Sequence, residues 1–433
     1  MAEILPIRPW RYNPELAAAI ETLTSPIFDV VSDNEIKNLY SNPINSIHLS
    51  VPEQPKAADR AASLLYEWKK NEVILQDRLP AIYIYYQYFK LPGEAKEYCR
   101  RGFLSHIKTY DWEDKVILRD ENTIRNLAID RLELLEKTEL HTNPTHGLFT
   151  DPTFELEGYM DKAVKNPIYD IYDYQGVRNV LAMIHDAQII QRFIAAIKDK
   201  SIILADGHHC YEGSLMYKQK RKALNPNHSG SEAYNYHLMY LSNTAEPDLR
   251  ILPTHRIIKR LDNWNEAEII EKLKPNFTIK PVEGADTLNE IITGKHLAFG
   301  LIFREHSYEI VLKPEAYGKL SSPFPEYIKT LDSTVIHYFI IEKALGIPWK
   351  DQRQSTHIDL DSSISDCMKK IKQGNAQMAI ITNEVSIEDM KKVIYSGFTL
   401  PQESVYFYPK VIGGLLFTSI KDEEFEFPLF SPF

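Results

Sequence analysis

An acid, a glycine and two histidines stand together at Asp206-Gly207-His208-His209. A carboxylate can hold a metal or a substrate hydroxyl, and imidazoles donate to oxyanions or move protons near neutral pH. Gly207 would let a ligand approach the backbone closely. Four apolar residues, Ile202 to Ala205, precede the loop and read as a short buried strand. Helix formers run without proline from Tyr211 to about Leu224. A strand passing through such a loop into a helix aims backbone N–H groups and the helix dipole at one spot. That spot favours an anion such as phosphate. Asp-Gly is also the commonest tight-turn dipeptide, so a hairpin is the competing reading. The helical spacing of Tyr211 and Leu215 argues for the helix. Adjacent histidines in an extended loop point apart and are not expected to share a metal.

Four further residues could serve such a site. Glu121 follows a short strand at Val116–Arg119 and precedes a helix over Asn126–Lys137. Its place alone reads as that of a capping acid at that helix. Arg100 and Arg101 are candidates for an anion, or a pair of solvated charges. Arg256 lies in the strand-like run Ile251–Lys259. Its guanidinium fork matches phosphate, although an ordinary surface ion pair would also account for it.

The elements that position these groups show in the spacing. Ala81–Phe89 is strand-like, and its aromatic stripe reads as sheet packing rather than a base-stacking platform. Ser46–Ser50 reads as a strand, Lys56–Asn71 as a helix, and Ser32–Glu35 as a capping box. Ile168–Asp173 and Arg178–Ile184 form a strand pair around Tyr174-Gln175-Gly176, followed by a helix from Ala187 to Ile197. From Asn263 short helices and strands alternate, which divides the chain into an N-terminal α/β region, 1–262, and a C-terminal α+β domain, 263–433.

Bulk properties narrow the function. A chain of 433 residues, 44% hydrophobic, can bury a large core. Its formal charge of −10 argues against DNA binding, which needs a basic footprint. Cys99, Cys210 and Cys367 are far apart without CxxC spacing, as in a reducing cytoplasm. No run is apolar enough for a signal peptide or a membrane span, so a cytoplasmic protein is expected. A homo-oligomer is compatible with all of this. Neither GxGxxG nor a P-loop is present.

Several stretches together resemble the DUF1015 family: Ile7-Arg8-Pro9, Ser25-Pro26-Ile27-Phe28-Asp29-Val30-Val31-Ser32, Asp120-Glu121-Asn122-Thr123, Asp130-Arg131-Leu132, Ala205 to His209, Leu252-Pro253-Thr254-His255-Arg256 and Tyr406-Phe407-Tyr408-Pro409-Lys410. The Asp-Gly-His-His loop also resembles the phosphate-binding loop of the ParB/sulfiredoxin-like fold, which includes ADP-dependent free serine kinases. The resemblance implies a mixed α/β, ParB/sulfiredoxin-like core over about 100–260, binding an adenine nucleotide (ADP or ATP) and Mg²⁺. It implies phosphoryl transfer to a small hydroxyl metabolite, foremost free serine, in either direction. In that mechanism Gly207, Cys210 and Tyr211 border the phosphates and Asp206 binds Mg²⁺ or substrate. His208 and His209 stabilise the transferring group, and Glu121 is the base. Cys210 stands where these kinases carry an arginine; Arg256 would supply the missing charge, and Arg101 is a further cofactor-binding residue. Ile27-Phe28 replaces a Pro-Tyr pair and Asp120 a histidine. The alternatives are a non-enzymatic nucleotide-binding module of ParB type and a metal-dependent phosphohydrolase of O-phosphoserine.

Overall fold

The computed structural model describes residues 1–26, 33–91, 94–262, 264–320, 326–329, 331–352, 355–400 and 404–425. The segment Ile27–Ser32, with the start of the expected capping box, lies outside them. The chain forms two compact units, Met1–Arg250 with Pro409–Phe433, and Ile251–Tyr408. The sequence pattern places its boundary at 262; in the structure the second unit begins earlier and the chain end returns to the first. Strand pairing explains both differences. His255–Ile258 pairs with Ile358–Asp361 and Met378–Ile381, while Thr418–Ser419 pairs with Leu140–His141.

The first unit is built on a nine-stranded mixed sheet. Its strands are β1 (Ile4–Leu5), β2 (Ile82–Lys90), β3 (Glu97–Lys108), β4 (Ile117–Arg119), β5 (Thr145–Phe149), β6 (Tyr169–Tyr172), β7 (Arg178–Ile184), β8 (Ile202–Asp206) and β9 (Tyr236–Asn243). They lie in the order β4-β8-β5-β9-β3-β2-β7-β6, with β1 beside β3. The pairs β8–β4 and β9–β5 are parallel. Both faces are covered, which is why β2 reads as an unbroken apolar run. Ile82, Ile84 and Tyr86 enter one core; Tyr83 and Tyr85 enter the other. The aromatic stripe is therefore sheet packing.

Among the described residues, the long helices around this sheet are α1 (Ala57–Lys70), α2 (Arg125–Thr138), α3 (Ala187–Lys198) and α4 (His208–Leu224). Asp186 caps α3 by accepting the N–H of Ile189 at 3.0 Å, and Ile190, Phe193 and Ile197 form its buried face. Gly213 of α4 permits close approach to α2: a Cβ there would meet Arg131 Cβ at 2.9 Å and Ala128 O at 3.2 Å. Ser46–Ser50, read as a strand, is instead a turn of helix over Ile47–Ser50. Asn45 decides this, because its side chain accepts the N–H of Ile47 and donates to the carbonyls of Thr22 and Thr24.

The second unit carries a six-stranded antiparallel sheet in the order Phe277–Val282, Ser307–Leu312, Ala298–Ile302, Met378–Ile381, His255–Ile258, Ile358–Asp361. Its helices include Glu266–Leu273, Ile364–Lys372 and Ile387–Tyr395, capped by Asn265, Ser363 and Ser386. The whole is a mixed α/β protein with one large mixed sheet and one separate antiparallel sheet. Among the described residues, no helix is long and apolar enough to cross a membrane.

Candidate functional site

Two neighbouring parallel strands end side by side. Leu204 of β8 pairs with Arg119 of β4, so Asp120 and Glu121 leave the sheet next to Asp206 and the loop behind it. Each strand is followed by a helix, α2 and α4. The expectation that α4 starts near Tyr211 is corrected: it starts at His208, with Gly207 at the N-cap in a left-handed conformation, φ 84°. Both histidines thus lie in the first turn and point about 100° apart.

His208 is buried. Its Nε2 lies 2.5 Å from Oδ1 of Asp120 and 3.1 Å from the Leu204 carbonyl; its Nδ1 lies 3.6 Å from Oε1 of Glu121. Burial pushes the imidazole down, but Asp120, Glu121 and Asp206 outweigh it and raise its pKa to about 9. His208 is therefore an imidazolium at neutral pH. Asp206 accepts from Lys410 Nζ at 2.8 Å and from its own loop's Gly207 N–H at 2.8 Å. Burial raises its pKa, yet Lys410, His208 and the Gly207 N–H hold the carboxyl below the usual range. Three carboxylates and two cations share this corner of the sheet.

The other expected groups are placed differently. At Gly207 the space a side chain would take is filled by Thr145, whose Cγ2 would lie 2.6 Å from a Cβ there. His209 is half-buried, and its Nε2 accepts the N–H of Ile124 at 3.1 Å, tying α4 to the start of α2. Tyr211 is a core residue: its hydroxyl accepts the N–H of Tyr110 and donates to the Tyr110 carbonyl. Cys210 is partly exposed and forms no disulfide. Arg101 is spent on Glu246 at 2.8 Å and Asp161 at 3.4 Å. Arg256 belongs to the second unit, where it is buried and bonds the Thr254 carbonyl and His337. Glu121 is 15% exposed, and the N-cap of α2 is Ile124, without a side-chain cap bond.

The residues fit a metal poorly. Among the described residues no group of three or more His, Cys, Asp or Glu side chains is arranged to hold one. A Mg²⁺ ion on Asp206 would have to displace Lys410. The donors of the corner, His208 and Lys410, face Asp120 and Asp206, and the seventeen-residue helix α4 begins beside them.

Lys410 was outside the expected site set, though it closes one of the quoted motifs; it folds back from far along the chain. Asp120 was visible only as a replaced histidine. His146, from β5, is buried with its Nε2 2.6 Å from Ser242 Oγ; no spacing in the sequence singles it out.

Residues 4–334 match the family model described as a protein of unknown function, DUF1015. Curated proteins give no significant match. Among solved structures, a free serine kinase in complex with AMP is 13% identical, the match covering 72% of this chain and 91% of that chain at a TM-score of 0.37. A conserved hypothetical protein from Pyrococcus furiosus is 14% identical, with 72% and 94% covered and a TM-score of 0.36. SbnI from Staphylococcus aureus, C-terminally truncated, is 10% identical, with 72% and 86% covered and a TM-score of 0.34. Likenesses this distant place no residue in this chain. The family match is of another kind: it spans most of the chain and includes the Asp120–Thr123 and Asp206–His209 stretches, and the chain belongs to the DUF1015 family.

Proposed function

We propose that the first unit is a nucleotide-dependent phosphotransferase acting on a small hydroxyl metabolite, with free serine as the leading acceptor. The observation that carries this reading is the placement of Glu121 beside a buried imidazolium, His208, in the first turn of α4. A carboxylate there can take the proton of an attacking hydroxyl. The cation and the helix N-terminus can oppose the charge that spreads over a transferring phosphoryl group. In this reading the core at about 100–260 is of ParB/sulfiredoxin-like type and the protein is cytoplasmic.

An adenine nucleotide, ADP or ATP, would supply the transferable phosphoryl. His208 and Lys410 would meet its phosphate oxygens. Asp120 keeps His208 protonated, and Asp206 orients the Lys410 ammonium. Glu121 holds the proton removed from the hydroxyl and returns it in the reverse direction. No step is routed through Mg²⁺, since Asp206 is engaged by Lys410.

The test is phosphorus NMR on purified protein, with and without MgCl₂, for serine plus ADP or ATP and for phosphoserine plus AMP. Transfer in one direction is expected. Absence of transfer in both directions across a panel of small alcohols would overturn the reading.

A further inference from the structure

A second charged group lies buried in the same sheet, and the loop chemistry does not use it. Arg100 of β3 is 1% exposed. Its Nη2 donates to Gln87 Oε1, and its guanidinium sits 5.4 Å from the centre of the Tyr240 ring. Its Nε and Nη1 are buried with no hydrogen-bond partner. Among the described residues no carboxylate lies within ion-pair distance of it. A buried guanidinium without a carboxylate partner bears a large desolvation cost, which an anion brought by a ligand would offset.

The carboxylates that could have neutralised it are engaged elsewhere. Asp206 takes Lys410. Glu246 takes Arg101, the neighbour of Arg100 on the opposite face of β3. Asp173 accepts from Asn179 and from the N–H groups of Gln175 and Val177. Around Arg100 the structure supplies amides and rings instead. Asn179 Oδ1 accepts from Gln87 Nε2 at 3.0 Å and from the Tyr85 hydroxyl at 2.6 Å, and the buried Tyr240 hydroxyl lies against Arg100 itself.

Two separate rows of paired residues cross the sheet here. Asn179, Gln87 and Arg100 sit opposite one another on β7, β2 and β3, and Tyr240, His146 and Asp206 do so on β9, β5 and β8. Lys410 spans them: its ammonium meets Asp206, and its carbonyl accepts from Gln87 Nε2 at 3.0 Å. The charges of Arg100 and Lys410 both bear on His146, whose burial has already pushed its pKa well down. His146 is therefore neutral and brings no competing charge.

We infer that Arg100 is the receptor for an oxyanion, a carboxylate or a phosphate, carried by the small molecule that this face of the sheet binds. Its free Nε and Nη1 would donate to the anion, and the Tyr240 hydroxyl could add a third hydrogen bond. The inference rests on the proposed phosphotransferase reading for its choice of ligand and narrows the acceptor to an acidic hydroxyl metabolite. Uncharged alcohols would be excluded, because they would leave the guanidinium unpaired.

Calorimetry on the full chain, without nucleotide or divalent cation, tests it with three probes: inorganic phosphate, L-serine and L-serinamide. Serine binding without serinamide binding identifies a carboxylate as the source of the anion, and phosphate binding alone identifies a phosphate; either supports the inference. R100M and R100K should bind the same probe roughly ten- to hundredfold more weakly. Failure of both phosphate and serine to bind wild-type protein overturns it, as does equal binding by a folded R100M. If neither variant folds, ¹⁵N NMR of the Arg100 Nε–H in wild-type protein decides. A signal that moves on adding the bound probe supports the contact, and an unmoved one overturns it. Anion binding without phosphoryl transfer would sink the proposed activity alone, whereas transfer unimpaired in R100M would sink this inference alone.

Discussion

The ammonium of Lys410 lies 2.8 Å from Oδ2 of Asp206, across 204 residues of sequence. Both side chains are 16% exposed, so water screens the pair only in part. The contact fastens the returning chain end to the loop that starts α4. The Asp206 carboxylate that holds this cation also bears on His208 and helps to raise its pKa.

Removing one member should leave the other uncompensated. Lys410→Met is expected to lower stability by less than the ~3–5 kcal/mol of a fully buried broken pair, and Asp206→Asn by a similar amount. The double variant should lose clearly less than the sum, because neither charge then stands alone. Urea unfolding of the four proteins measures this, and strict additivity would show that the pair is not coupled.

Glu121→Gln separates a base from a structural acid. With Glu121 as base, turnover should fall by ~10²–10⁴-fold while nucleotide binding is retained. Single-turnover kinetics beside calorimetry would read both. Unchanged turnover with a lowered melting temperature would remove Glu121 from the chemistry.

His208 makes stability depend on pH with a definite sign. Its folded pKa, about 9, is raised above the ordinary imidazole value near 6.5. The stabilisation is fully present below about pH 6.5 and is lost as pH rises through about 9. Wild-type protein should therefore lose ~1–3 kcal/mol over that interval relative to His208→Gln, which lacks the titrating group. Parallel urea midpoints in both proteins at each pH would expose this slope, and identical slopes would contradict the imidazolium.

Gly207 and Tyr211 are expected to act on folding rather than on ligands. Gly207→Ala meets both a left-handed φ of 84° and Thr145 Cγ2 at 2.6 Å, and should cost ~1–3 kcal/mol. Thr145→Ser should restore part of that loss by removing the nearest atom. Tyr211→Phe loses two hydrogen bonds to Tyr110 and should cost ~1–2 kcal/mol with kinetics unchanged. A changed nucleotide affinity in Tyr211→Phe, at equal stability, would return that residue to the site.

Local pattern was sufficient for much of the framework. Hydrophobic runs marked β2, β7 and β8, and the 3.6-residue spacing marked α1 and α3, because both signals are written in neighbouring residues. The Asp206–His209 loop, its preceding strand and Glu121 were legible for the same reason. Residue type alone could not say which charges would be consumed. Arg101 became an ion-pair partner and Arg100 a buried cation because alternate residues on β3 face opposite sides of the sheet, which meet different neighbours. Asp120 and Glu121 reached His208 only through the parallel pairing of β4 with β8. Lys410 reached Asp206 only because the chain end packs back on the first unit. Such long-range contacts set burial, and burial decides whether a carboxylate, an imidazole or a guanidinium keeps a solvated charge or must find a partner.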